Sequence, residues 1–186
     1  MSKLQAAPGE LEQVRAFVNT IDIEEGSEEL ATPEALGAWL GEHGLIETPA
    51  KVSQADLTRA REVREALRAV LLSHTTRSPA PASAYSALET TARRGRISLK
   101  FADDGGSALE PEAPGVDGSL GRLLAIVHSA RADGTWPRLK ACRDHGCEWA
   151  FYDHTKNRSG TWCNMAVCGN RAKARSYRAR REQAAP

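Results

Sequence analysis

No cysteine occurs in this 186-residue chain before Cys142, and aromatic residues make up only 5% of it. No apolar run approaches the roughly 20 residues of a spanning helix, so no membrane segment is expected. Residues 1–10 lack the apolar centre and cleavage pattern of a secretory signal, and the expected localisation is cytoplasmic. There is no glycine-rich phosphate loop, no nucleophile elbow and no H-E-x-x-H pattern. His43, His74 and His128 are scattered without catalytic spacing. No enzyme is expected.

What is present is sorted along the chain. The net charge of +1 hides an asymmetry: from Arg138 to the end there are 11 Lys and Arg against 4 Asp and Glu, which leaves the preceding part at −6. Such a split points to an end that binds a polyanion. The 41% hydrophobic content is enough for a core.

Periodicity predicts a mostly helical first part. Leu11, Val14, Val18 and Ile21 mark a helix over about residues 9–20. Thr32 and Pro33 start a second, which buries Leu36, Trp39 and Leu40. Ser53 and Asp56 cap a long third helix reaching about Ser73, and a fourth runs over about 83–93. Ile97, Leu99 and Phe101 then alternate with polar residues before an Asp-Asp-Gly-Gly turn, which predicts a β-hairpin returning near 108–112. A loop over 114–118 and a fifth helix over about 119–132 complete an α+β domain of residues 1–134. Asn19 and Asp22, at the end of the first helix, are candidates for capping or for contact with a ligand.

The remaining residues, 135–186, hold Cys142, Cys147, Cys163 and Cys168 in the spacing C-x4-C-x15-C-x4-C. Two close pairs separated by a short span suit a tetrahedral metal site, and four thiolates leave no open position, so the site is expected to be structural zinc. Disulfides, buried free thiols and an iron–sulfur centre are the alternatives; a reducing compartment disfavours the first. So short a segment needs such a metal in order to fold. The expected path is a knuckle at 142–147, strand-like 149–152, a polar turn at 156–160, then a helix, the order of a treble clef. Arg171, Lys173, Arg175, Arg178, Arg180 and Arg181 follow the last cysteine with no acid before Glu182, and Lys156 and Arg158 lie on the turn. These are the candidate nucleic-acid contacts. The six aromatics of this segment are expected to form its core.

Cys142-x4-Cys147, Trp162-Cys163-Asn164-Met165-Ala166-Val167-Cys168-Gly169-Asn170-Arg171 and the Ala-Lys-Ala-Arg that follows resemble the CGNR zinc-finger family over about residues 139–181. That family joins its finger to an ABATE domain, which residues 17–22 and the Leu36-x2-Trp39-Leu40 segment resemble. The resemblance implies a bacterial, zinc-bound transcription regulator that binds DNA, here expected to be duplex. The N-terminal domain is expected to sense a small-molecule effector or to form a homodimer, the latter because one small finger reads too few bases for high specificity. Two other readings use the same basic helix, on RNA or on an acidic protein partner.

Overall fold

In the computed structural model, residues 6–47 and 50–183 are described, apart from the side chains of 179 and 181–183. Of the predicted basic residues, Arg181 thus has its side chain outside the described residues. The first helix, α1 (Leu11–Val18), buries Leu11, Val14, Phe17 and Val18 on one face. A two-residue hairpin follows, β1 (Ile21–Asp22) with β2 (Ser27–Glu28). Asp22 turns it, since its carboxylate accepts the backbone N–H groups of Glu24 and Glu25 at 2.9 and 3.0 Å. The hairpin is too short for periodicity to reveal.

Helix α2 (Pro33–Glu42) starts where Thr32 accepts the Ala35 N–H. Helix α3 (Gln54–Thr76) begins with a reciprocal Ser53–Asp56 capping box and ends on Arg77 in the left-handed conformation. Helix α4 (Ala82–Arg94) packs beside it. Strands β3 (Ile97–Phe101) and β4 (Ser107–Pro111) pair antiparallel, with Leu99 opposite Leu109. The fifth helix, α5 (Gly115–Ala132), starts one turn earlier than its apolar period suggests. Two glycines disguise that turn. Gly118 is required there, because a Cβ on it would lie 2.0 Å from the Ala113 carbonyl oxygen.

A turn of 3-10 helix at Trp136–Arg138 leads to β5 (Leu139–Ala141), which pairs antiparallel with β6 (Ala150–Tyr152). A π-helical turn, Met165–Gly169, continues into α6 (Asn170–Gln183). The main core runs without interruption from α1 into this last segment: Val14, Phe17, Leu67 and Leu71 share it with Trp136, Leu139, Ala141, Ala150 and Tyr152. A second, small cluster holds the cysteines with Trp149 and Trp162 packed on them.

Candidate metal centre and its basic helix

The β5–β6 hairpin is fixed to the helical layer by polar side chains. Asn19, at the end of α1, donates to the Ala150 carbonyl at 2.9 Å and accepts the Ala150 N–H at 2.7 Å, so its amide pairs with β6 as a neighbouring strand would. From α3, Thr75 Oγ1 donates to Ala141 O at 2.6 Å, and His74 Nδ1 lies 2.8 Å from Leu139 O. Arg68 donates to Glu148 O and to Val18 O, joining α1, α3 and the knuckle. Sequence reasoning missed Arg68, His74 and Thr75 in this role. The available signal was polar residues within the long buried stripe of α3.

The chain beyond β6 is folded around a buried ion pair. Lys140 Nζ donates to Asp153 Oδ2 at 2.7 Å and to the carbonyls of Arg158 and Gly160 at 2.6 and 3.0 Å. All three ammonium protons are therefore used. Burial pushes the Asp153 carboxyl up, but Lys140, Thr155 and the N–H groups of Thr155 and Gly160 outweigh it and hold the group at about 2. Gly160 admits no side chain, since a Cβ would sit 2.8 Å from Asp153 Cγ. Lys156 and Arg158 are thereby set on an exposed turn.

This frame brings the four cysteine sulfurs together, all within 4.8 Å of one another. Cys142, Cys147 and Cys168 are buried and Cys163 half-buried. Cys147 and Cys163 sulfurs are 3.5 Å apart, and those of Cys163 and Cys168 are 3.7 Å apart. A tetrahedron of thiolates about 2.3 Å from zinc has edges of about 3.8 Å, so the cluster has the size of a zinc site. A disulfide, at about 2.05 Å, would be far shorter. Backbone N–H groups of Asp144 and Cys163 point at Cys142 and that of Trp149 at Cys147, as suits anionic sulfurs. Unaided, four thiolates repel. Hydrogen bonds from Cys147 and Cys163 hold the Cys142 thiol far below its ordinary value, and the same bonds to Cys142, with burial and the charge there, push Cys147 and Cys163 up. Burial pushes Cys168 up as well. A divalent cation at the centre relieves this frustration.

Beyond the cluster, Asn164 caps the π turn by accepting the Ala166 and Val167 N–H groups. Helix α6 then projects, packed chiefly on that turn. Its first arginines point back. Arg171 donates to both carboxylate oxygens of Glu24, at 2.8 and 2.7 Å, and lies 3.8 Å from the Cys168 sulfur. Its Nε and the buried Asp144 Oδ2 lie 4.0 Å apart, and Arg175 reaches Asp144 Oδ1 at 3.2 Å. Glu24 beside it pushes the Arg171 guanidinium up from its ordinary value. Among the described residues, Lys173, Arg178 and Arg180 have no acidic partner. Of the six aromatics, Trp136, Phe151 and Tyr152 are buried, Trp149 and Trp162 half-buried, and Tyr177 is exposed. No described helix is long and apolar enough to cross a membrane.

Fold and site together define an α+β protein with a structural four-cysteine zinc finger at its C-terminal end. Two family models match it: ABATE, described as "Putative stress-induced transcription regulator", over residues 14–133, and the CGNR zinc finger over 138–181. The chain belongs to the ABATE family and carries a CGNR zinc finger. Both are regulatory or zinc-finger families and neither is a family of enzymes. No curated protein matches the chain.

Proposed function

We propose that this protein is a zinc-dependent transcription regulator that binds duplex DNA through α6. In this reading Cys142, Cys147, Cys163 and Cys168 hold the zinc, whose role is to fix the start of the helix, with no part in chemistry. The observation that carries the reading is the projecting helix itself. It is anchored at its root by a metal-sized sulfur cluster and bears Lys173, Arg178 and Arg180, which have no acidic partner among the described residues. A basic helix on a metal knot suits a DNA groove or its phosphates. Arg171, Arg175 and Arg181 add to its positive field, with Lys156 and Arg158 on the nearby turn.

The N-terminal domain senses an effector or dimerises. A cavity of about 860 Å³, lined by Gln13, Leu45, Lys51, Ser119 and Arg122 among others, has the size for a small molecule. The test is titration of the zinc-loaded chain with duplex DNA at several salt concentrations, with structured RNA as competitor. Binding that weakens steeply with salt and survives RNA supports the reading. No binding by the zinc-loaded chain overturns it, and preferential binding of RNA replaces DNA as the partner.

A further inference from the structure

The cations of α6 are of two kinds, and the helix geometry separates them. Each position turns about 100° from the last. Arg171, Arg175 and Arg178 therefore share one side, and Lys173, Tyr177 and Arg180 share the opposite one. The first side is fastened to protein at its root, through Arg171 and Arg175, while Arg178 further along donates only to the Ala174 carbonyl of its own helix. Arg171 is held by Glu24 on the β1–β2 turn and by the Cys168 sulfur, with Asp144 of the knuckle 4.0 Å from its Nε. Arg175 is held by the same Asp144. The second side faces away: Lys173 and Arg180 are exposed and, among the described residues, have no acidic partner. Tyr177 between them is 57% exposed, although a tyrosine in so small a module is expected to serve its core.

We infer that the outward side, Lys173, Tyr177 and Arg180, is the surface that meets the DNA backbone, and that Arg171 and Arg175 are positioning residues that set the direction in which the helix leaves the metal knot. This rests on the DNA-binding reading above. For Arg171 to grip a phosphate it would have to abandon the Glu24 carboxylate and the Cys168 sulfur, and the buried Asp144 would lose a cation 4.0 Å away. Asp144 lies in the knuckle, beside Cys142, so the root of the helix is tied to the metal centre through Arg175 at 3.2 Å, with Arg171 close by, although both side chains keep part of their surface in solvent. On the other side, Lys173 and Arg180 stand two turns apart with the Tyr177 hydroxyl between them. Two cations and a neutral donor in line suit successive oxygens of one phosphate backbone.

The salt dependence of binding separates the roles, because each lost phosphate contact lowers the slope of log K against log salt by about 0.9 on duplex DNA. The zinc-loaded full chain is titrated with one duplex between 50 and 200 mM salt, and zinc content and helicity are recorded for every variant. Lys173→Gln with Arg180→Gln is expected to lower the slope by about 1.8. Tyr177→Phe weakens binding at an unchanged slope. Arg171→Gln and Arg175→Gln weaken binding but keep the slope, as does Glu24→Gln. If Arg171→Gln and Arg175→Gln each remove a unit of slope and the Lys173/Arg180 pair does not, the assignment is reversed and falls. A slope that steepens on Glu24→Gln also overturns it, because Arg171 would then be a phosphate contact that Glu24 masks. Wild-type protein that binds no DNA defeats the DNA-binding reading itself. Wild-type binding that none of these variants alters leaves that reading intact and defeats only this inference.

Discussion

The β5–β6 hairpin and helix α6 belong to the same zinc finger, yet they are held in opposite ways. Every residue of β5 and β6 is buried, and the hairpin reaches the helical layer through Asn19, Arg68, His74 and Thr75 as well as through shared apolar packing. Helix α6 rests on the π turn and on two arginine–carboxylate contacts, and its residues 173–178 and 180 are exposed. The metal cluster sits between the two. One half of the finger therefore works as part of the N-terminal fold, and the other half stands largely clear of it. A metal knot here is a bracket: its wall side is the hairpin and its arm is the helix.

The largest test of this contrast is removal of the metal. Structural zinc contributes roughly 10–16 kcal/mol in finger peptides, and α6 has little else to hold it. Chelation, or Cys163→Ser, is expected to abolish zinc binding and to remove the helicity of the 14 residues of α6. The buried Trp136 should keep its fluorescence, because the hairpin stays docked by contacts that do not involve the sulfurs. Far-ultraviolet circular dichroism and tryptophan emission measured together decide the matter. Loss of both signals in one step would show that the hairpin depends on the metal as much as the helix does.

A smaller effect is expected on the wall side alone. Asn19→Ala removes both hydrogen bonds to Ala150 and leaves a buried N–H and a buried carbonyl without partners. At about 1–3 kcal/mol for each unsatisfied group, the zinc-loaded protein should lose roughly 2–6 kcal/mol. Denaturant unfolding measures this, and zinc content at low denaturant should be unchanged. A variant that loses zinc but not stability would place Asn19 with the metal site, against the contrast.

Much of this arrangement is written in the sequence, for reasons that differ from part to part. The helices were legible because Leu11, Val14 and Val18, or Leu36, Trp39 and Leu40, repeat at the helical period, and because Thr32 and Ser53 announce their starts. The β3–β4 hairpin was legible through its alternation and its Asp-Asp-Gly-Gly turn. The cysteines were legible because metal geometry restricts spacing. What could not be read was anything that depends on two distant segments meeting. Asn19 looks like an ordinary helix-ending residue, and its pairing with Ala150 is 131 positions away. Arg171 and Arg175 look like ordinary members of a basic face, yet Glu24 and Asp144 tie them back to the rest of the protein. The uninterrupted core across residue 134 is of the same kind: Trp136 and Leu139 read as the start of a new unit until Leu67 and Leu71 are found against them.

The smallest effect concerns pH, and it touches the hairpin without touching the helix. His74, half-buried on α3, faces β5 and lies edge-on to Trp136 at 5.2 Å. Burial pushes its imidazole below the ordinary value of 6.5. The bond to the Leu139 carbonyl opposes this, and the charges of Arg131 and Lys140 add to it. The folded state thus takes up its proton less readily than the unfolded chain does. Stability from this group is fully present above about pH 6.5 and is lost as pH falls below it, because the unfolded chain is then protonated first. Zinc-loaded protein should therefore show a Tm that declines from pH 7 towards 6, and His74→Gln should flatten that decline. Zinc content must be followed across the same window, since thiolate ligands also respond to acid. Should the decline persist unchanged in His74→Gln while zinc stays bound, the pH sensitivity lies elsewhere than in the docked hairpin.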